Sequence, residues 1–414
     1  MAATRRDFIR NGLIALSVGV ATPSYLLRTA HASGRAAAAL RQSAPRTLVV
    51  IELAGGNDGL NTVVPYADEA YYRVRPTLHI KREEAHVITP ELALHPALAP
   101  LVELYQAGRM AIIQGVGYPD PNYSHFRAME ILKSAVPERY EPVGWLGRYL
   151  DLAAGQADDH FAGVRAGGGL DHALRATEFP TPVIASPAAY SFQTDPRFPA
   201  DRTNRLNAFQ ALNRLDSGGR AMLPLVEETA QAAYVSAREL GDLVKGYNSA
   251  VTYPERNGLA AGLKLLAQVI TADVGLRVGY VTLGGFDTHA AQQPRHRELL
   301  DQLAQAVRAF QDDIDAHGMA DRVLILTTSE FGRRVAENGS AGTDHGSAEP
   351  FFVFGAPVRG GVYGDRPSLT DLDNGNFKHT TDFRSVYATV LRDWLKGDAA
   401  AVLGRDWPTI GFVA

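Results

Sequence analysis

Carboxylates and histidines gather in this chain at the ends of short apolar runs, where glycines mark loops. Glu52 closes one run and is followed by Gly55-Gly56-Asn57-Asp58-Gly59; Asp287 and His289 follow a second; Ser329 and Glu330 follow a third; Asp344 and His345 lie just beyond, in Gly342-Thr343-Asp344-His345-Gly346. A further cluster, Asn122-Tyr123-Ser124-His125-Phe126, opens a segment with helical spacing. Oxygen and nitrogen donors of this kind suit zinc, manganese, magnesium or calcium, and a D-x-H pair in a loop can aim both side chains to one side. Cysteine is absent, which excludes disulfides and thiolate chemistry, so any divalent metal must be held by imidazole and carboxylate. Each group also has a plainer reading. Asn57-Asp58-Gly59 suits a tight turn, Ser124 suits a helix cap in competition with Asn122, and Asp287, His289 and His345 suit a hydrogen-bonded triad at a sheet edge. Asp344 either binds metal or orients an imidazole. His296 and His379 stand outside these motifs and read as surface residues.

These loops need a frame that brings their ends together. Residues 47–53, 110–114, 278–283 and 323–328 are β-rich apolar runs ending in glycine or polar loops, and 351–354 is a shorter one. Helical spacing covers 96–107, 258–271, 297–317 and 382–395. Strand and helix alternate at both ends, which predicts an α/β fold with a doubly wound, mostly parallel sheet; ligands of such sheets bind beyond the carboxyl ends of the strands. The intervening residues 137–256 are rich in Ala, polar residues and turn signals, with 202–250 mostly helical, and read as a largely helical insertion or cap. The loop Gly55-Gly56-Asn57-Asp58-Gly59 lacks G-x-G-x-x-G spacing and carries a carboxylate where a pyrophosphate would lie, which argues against a dinucleotide oxidoreductase.

At the N-terminus, Thr4-Arg5-Arg6-Asp7-Phe8-Ile9 precedes an apolar run interrupted by Pro23 and then Ala30-His31-Ala32. That order predicts a twin-arginine (Tat) signal peptide over 1–32, a linker over 33–45 and a folded domain over 46–414, exported through the Tat translocon to the periplasm or beyond, with no stable membrane insertion after cleavage. The chain's net charge is −4, and Arg5, Arg6, Arg10, Arg28 and Asp7 contribute +3 of it, so the mature part carries −7. Such a balance argues against nucleic acid as a partner.

Taken in order, residues 52–62 (Glu-Leu-Ala-Gly-Gly-Asn-Asp-Gly-Leu-Asn-Thr), Ser124-His125-Phe126, Gly144-Trp145-Leu146-Gly147-Arg148, Phe286-Asp287-Thr288-His289, Ser329-Glu330-Phe331-Gly332-Arg333 and Gly342–Gly346 resemble the DUF1501 family. That family is associated with the alkaline phosphatase and sulfatase superfamily, so the resemblance implies an alkaline phosphatase-like fold and hydrolysis of small anionic phosphate or sulfate esters at a divalent metal. Carried over by position, it implies metal ligands at Glu52 (or Asp58), Asp287, His289, Glu330 and His345, with Asp344 beside them, and a nucleophile at Ser124. Asn57, Asp58, His125 and Arg333 would face substrate, and Arg148 with Arg333 could grip an anionic ester through planar guanidinium forks. The sequence departs from the pattern where Phe331 stands in place of a ligating histidine and where Glu52 and Glu330 replace aspartates. One metal remains chemically reasonable. The rival expectation is a non-catalytic binding protein on the same fold, with a degenerate metal site.

Overall fold

The computed structural model describes residues 45–153, 160–190, 197–198, 201–212 and 223–414. The leader expected over 1–32, and all of the linker expected over 33–45 but its last residue, lie outside the described residues. Eight strands form the central sheet: β1 (Thr47–Ala54), β2 (Met110–Gly117), β3 (Gly163–Ala166), β4 (Val183–Ile184), β5 (Val278–Gly284), β6 (Val323–Thr328), β7 (Glu349–Phe354) and β8 (Gly361–Tyr363). They lie in the order β8-β2-β7-β6-β1-β5-β3-β4, and a two-residue strand, Thr381–Asp382 (β9), adds to the end of β2. Every pairing is parallel except those of β7, which runs against both β2 and β6. The mostly parallel α/β sheet expected from the alternation is therefore present.

β1 is apolar on both faces, so it is stable only where both are covered. Val49, Ile51 and Leu53 enter a core shared with α1 (Ala99–Gln106), α6 (Gly258–Thr271) and α7 (Gln292–Ala316). Leu48 and Val50 enter the opposite core with α2 (His125–Ser134), α3 (Trp145–Ala153) and α8 (Phe383–Thr389). Each such side chain contributes roughly 1.5–3 kcal/mol by leaving water, and the alternation fixes which side of the sheet every later residue of β1 faces. Because β1, β5 and β6 are parallel and β2 points the same way, their carboxyl ends open on one edge, and β7 begins there at Glu349.

Several boundaries differ from the sequence-based expectation. Helix α7 starts at Gln292 rather than Arg297, because Pro294 falls in its first turn, where a missing N–H costs nothing. The helix expected over 382–395 is α8, capped by the Asp382 side chain, followed by a π-turn at Val390–Trp394. Within 137–256, β3 and β4 extend the central sheet, and the helical part comprises α4 (Asp201–Leu212) and α5 (Leu223–Gly246) together with α3. No helix among the described residues is long and apolar enough to cross a membrane.

Candidate metal centre

Three loops meet at the carboxyl edge of the sheet. After β1, Gly55 and Gly56 take φ of 119° and 78°; a Cβ on Gly55 would stand 2.5 Å from the Asp287 amide nitrogen, and one on Gly56 2.5 Å from the Phe331 ring. Only glycine allows this approach, which lets the β1 loop pass beneath the loop carrying Asp287 and His289. Arg333, beyond β6, fastens them together. Its buried guanidinium donates from Nε to Gly56 O (2.7 Å), from Nη1 to Thr343 O (2.9 Å), and from Nη2 to Gly55 O, Phe286 O (3.0 Å) and Asp287 Oδ1 (2.8 Å). An antiparallel bridge between Arg333 and His345 brings in the third loop, and α2 delivers His125 as its first residue.

Four side chains converge. His289 Nε2 lies 3.0 Å from His345 Nε2 and 3.0 Å from Asp287 Oδ1; His345 Nε2 lies 3.1 Å from the same oxygen, and His125 Nε2 3.5 Å from Asp287 Oδ2. The other nitrogen of each ring is already engaged: His345 Nδ1 with the Tyr123 carbonyl (2.8 Å), His125 Nδ1 with Glu330 Oε1 (2.7 Å) and His289 Nδ1 with Asp344 Oδ1 (3.2 Å). Those oxygens accept, so each Nδ1 can carry the ring proton and leave each Nε2 a lone pair for a cation at the common centre. Two such lone pairs 3.0 Å apart repel unless a cation or a shared proton stands between them. His125 Nε2 is buried and makes no hydrogen bond, as an atom held ready for a ligand would be. Donors around a tetrahedral zinc at ~2.1 Å stand about 3.4 Å apart, and the four separations given above, 3.0 to 3.5 Å, are of that order. His125, Asp287 and His345 each offer an atom within 4.8 Å of those of the other two, and with His289 beside Asp287 and His345 they suit a divalent cation of borderline softness.

The centre is half open. The Asp287 side chain is 46% exposed, whereas that of Glu330 behind His125 is 1% exposed. Burial acts upward on the Asp287 carboxyl, but hydrogen bonds from Arg333 and His345 and the Arg333 charge outweigh it and hold it down at about 2. It stays ionised, as a ligand must.

Residues 95–396 match the family described as a protein of unknown function, DUF1501. The chain belongs to this family. The DUF1501 span includes all four converging side chains and leaves out Glu52, Asn57 and Asp58. No curated protein matches the sequence. Similar solved structures include the sulfatase PsFucS1 from Pseudoalteromonas sp. (13% identity over 92% of this chain and 75% of that one, TM-score 0.39). Others are a protein in the alkaline phosphatase superfamily from Vibrio parahaemolyticus (9%, over 87% and 69%, TM-score 0.38) and the lipoteichoic acid synthase LtaP from Listeria monocytogenes (9%, over 90% and 75%, TM-score 0.38). Likeness at these scores leaves the activity to be argued from the site itself.

The remaining residues singled out by the DUF1501 motifs lie apart from the centre or behind it. Glu52 shares a face of β1 with Leu48 and Val50, so it points into the sheet's α2 side. There it pairs with Lys133 (2.6 Å), which also pairs with Asp171, and accepts from Thr282 (2.9 Å). Asp58 is fully buried against Arg75 (2.6 Å); against the upward push of burial, that guanidinium holds its carboxyl below the ordinary range. Asn57 is buried with its Oδ1 taken by Thr62 and His296. Glu330 stands on the far side of the His125 ring from the centre and also accepts the Gly55 N–H (2.9 Å). Arg333, expected at the substrate, is buried among carbonyls, and Arg148 donates to carbonyls of Val402, Val143 and Ser134. Phe331 packs its ring against those of His125 and His345, at centroid distances of 4.9 and 4.5 Å. His296, read as a surface residue, is 2% exposed, because the early start of α7 turns it into the core; His379 is half-buried. Ser124 is exposed at the N-cap of α2, and its hydroxyl makes no capping bond.

Proposed function

We propose that this protein is an exported, metal-dependent hydrolase of small anionic esters, phosphate or sulfate, leaving the cytoplasm through the Tat translocon. The observation that carries the reading is the set of three imidazoles whose Nδ1 atoms are engaged by oxygens while their Nε2 atoms converge on the ionised Asp287. A bound zinc or similar cation would supply Lewis acidity, polarising an ester oxygen and lowering the pKa of an attacking water or hydroxyl. Glu330, Asp344 and the Tyr123 carbonyl orient the rings. Ser124, exposed beside His125 at the start of a ten-residue helix, has a hydroxyl free of the capping role and is the nucleophile candidate. Amides of that first turn favour an anion at the same place. In the step, the attacking oxygen bonds to phosphorus or sulfur as the bond to the ester oxygen breaks, and the proton the attacker gives up passes to the departing oxygen, which leaves as an alcohol; where Ser124 attacks, water then displaces its oxygen in the same way and frees phosphate or sulfate with the serine hydroxyl restored. Export rests on residues 1–32, where paired arginines, an apolar run and Ala30-His31-Ala32 follow in order.

Phe331 favours a second reading, a binding protein with one weakened metal site, because its ring, which cannot ligate, packs against both His125 and His345 where a further donor would stand. One experiment separates the two. The protein is purified from periplasm and its metal measured by elemental mass spectrometry beside an Asp287→Ala, His289→Ala double variant. We expect close to one metal per chain in the wild type, lost in the variant, and turnover of an aryl phosphate or sulfate; metal-free wild type with intact folding refutes the hydrolase reading.

A further inference from the structure

Asp344 Oδ1 accepts from His289 Nδ1 (3.2 Å), yet the Asp344 side chain is 53% exposed, and water competes for a carboxylate so placed unless a second contact pins it. Asn338 supplies that contact. It is half-buried in the turn that leads to Gly342, and its side-chain amide is used in full. Oδ1 accepts from Ser340 N (2.9 Å) and Gly342 N (3.1 Å), which folds the turn. Nδ2 faces the other way and donates to His289 O (2.9 Å) and to Asp344 Oδ1 (3.0 Å). Two lone pairs meet two donors and two N–H groups meet two acceptors, so the neighbours decide which end of the amide is nitrogen. The Asp344 oxygen held in this way is the one that receives His289 Nδ1. One amide thus grips His289 at its backbone carbonyl and, through Asp344, at its ring.

Backbone bonds already dock this turn against the loop of His289. Ser340 O accepts from Ala291 N (3.0 Å) and Ala341 O from Gln292 N (2.9 Å) at the start of α7, and Thr343 N donates to Thr288 O (3.2 Å). A Cβ on Gly342 would stand 2.2 Å from the His289 carbonyl carbon, so the two loops are in close contact. What the Asn338 amide adds to this docking is the direction of the imidazole. Among the described residues the Asp344 side chain has no hydrogen-bond partner besides His289 and Asn338. Aspartate at position 338 has the same shape and still accepts from Ser340 and Gly342, so the turn survives it. It sets an oxygen against His289 O, however, and a second negative charge against Asp344 Oδ1.

We propose that Asn338 is a positioning residue of the centre: it holds the His289 carbonyl and Asp344 so that His289 Nε2 stays aimed at the metal, and it keeps Asp344 an orienting acceptor rather than a ligand. The assignment rests on the metal-centre reading. Its test measures zinc and cobalt affinity by competition with a chromophoric chelator in wild type, Asn338→Asp, His289→Ala and the double variant, with circular dichroism to check each fold. Asn338→Ser, which keeps a turn-forming oxygen but lacks the amide N–H groups, is carried alongside and should behave as Asn338→Asp does. We expect Asn338→Asp to weaken metal binding about 10- to 100-fold in the wild-type background. In His289→Ala, where His125, Asp287 and His345 remain as donors, the same change should cost no more than about twofold. The cobalt absorption spectrum of Asn338→Asp should move from that of the wild type toward that of His289→Ala. Unchanged affinity in folded Asn338→Asp and Asn338→Ser, or an equal loss in both backgrounds, overturns the assignment. Where His289→Ala binds too weakly to compare, a cobalt spectrum of Asn338→Asp identical to the wild type overturns it. A wild type that takes up no metal refutes the metal-centre reading and this assignment with it, whereas metal-loaded wild type and an unaffected Asn338→Asp refute this assignment alone.

Discussion

Glu330→Gln tests whether this carboxylate orients a ligand or is one. Its Oε1 accepts from Gly55 N (2.9 Å) and His125 Nδ1 (2.7 Å), while Oε2 lies 3.1 Å from Gly55 N and 3.4 Å from Ser329 Oγ. Glutamine fills the same buried space. With its oxygen in the Oε1 position both bonds survive, but the negative charge is lost and the new NH2 confronts the Gly55 N–H. Flipped, the NH2 faces His125 Nδ1, drives the ring proton to Nε2 and removes a donor from the centre. Either arrangement weakens metal binding by about 10- to 100-fold, equivalent to about 1.4–2.7 kcal/mol. The assay is competition with a chromophoric chelator at neutral pH, with circular dichroism to check the fold. Unchanged affinity in a folded variant refutes the orienting role; a loss beyond a thousandfold means that Glu330 is itself a ligand.

Two further expectations concern the scaffold. Arg75→Met leaves the Asp58 charge buried without its partner and should cost about 3–5 kcal/mol in urea denaturation, with much of it recovered in Arg75→Met, Asp58→Asn; a loss below about 1 kcal/mol contradicts the buried pair. His296 is pushed down to about 4 by burial, aided by the Arg75 and Arg333 charges and opposed by Asp58. Below pH ~6.5 the unfolded chain binds a proton there that the folded chain does not, so stability falls with pH from ~6.5 toward 4, by about 3 kcal/mol from this group. His296→Gln should flatten that part of the profile, and an unchanged slope between pH 7 and pH 4.5 would sink the assignment.

The strand ends and their polar loops were legible in the sequence because a parallel strand buried on both faces leaves an uninterrupted apolar run, and its end is marked where polarity and glycine begin. Asp287, His289 and His345 stood out for that reason. Orientation was harder to read. Glu52 lies one residue from the end of the apolar run 47–53 but on the face that meets Lys133, and only the pairing of β1 with its neighbours decides that. His125 was expected to face substrate; that its Nε2 joins the centre depends on Glu330 holding the opposite nitrogen, a contact spanning 205 residues. Asp58 found Arg75 through a fold of the loop that leaves no periodic signal. Arg333 and Arg334 are adjacent and chemically alike, so the sequence offers nothing to tell the buried one from the exposed one.

Arg333 joins five oxygens from three loops with a single planar group. A rivet of this kind divides the region into a part that resists editing and a part that tolerates it. Lengthening any of the three loops by one residue would pull a carbonyl out of the plane of the fork and slacken the other two. The hairpin of Leu372–Asp373 and Asn376–Phe377, and the exposed side chains of Tyr123 and Phe126, meet none of those bonds. Exchanging them leaves the rivet and the loops it joins in place, so sequence variety is better tolerated at this surface than in the loops themselves.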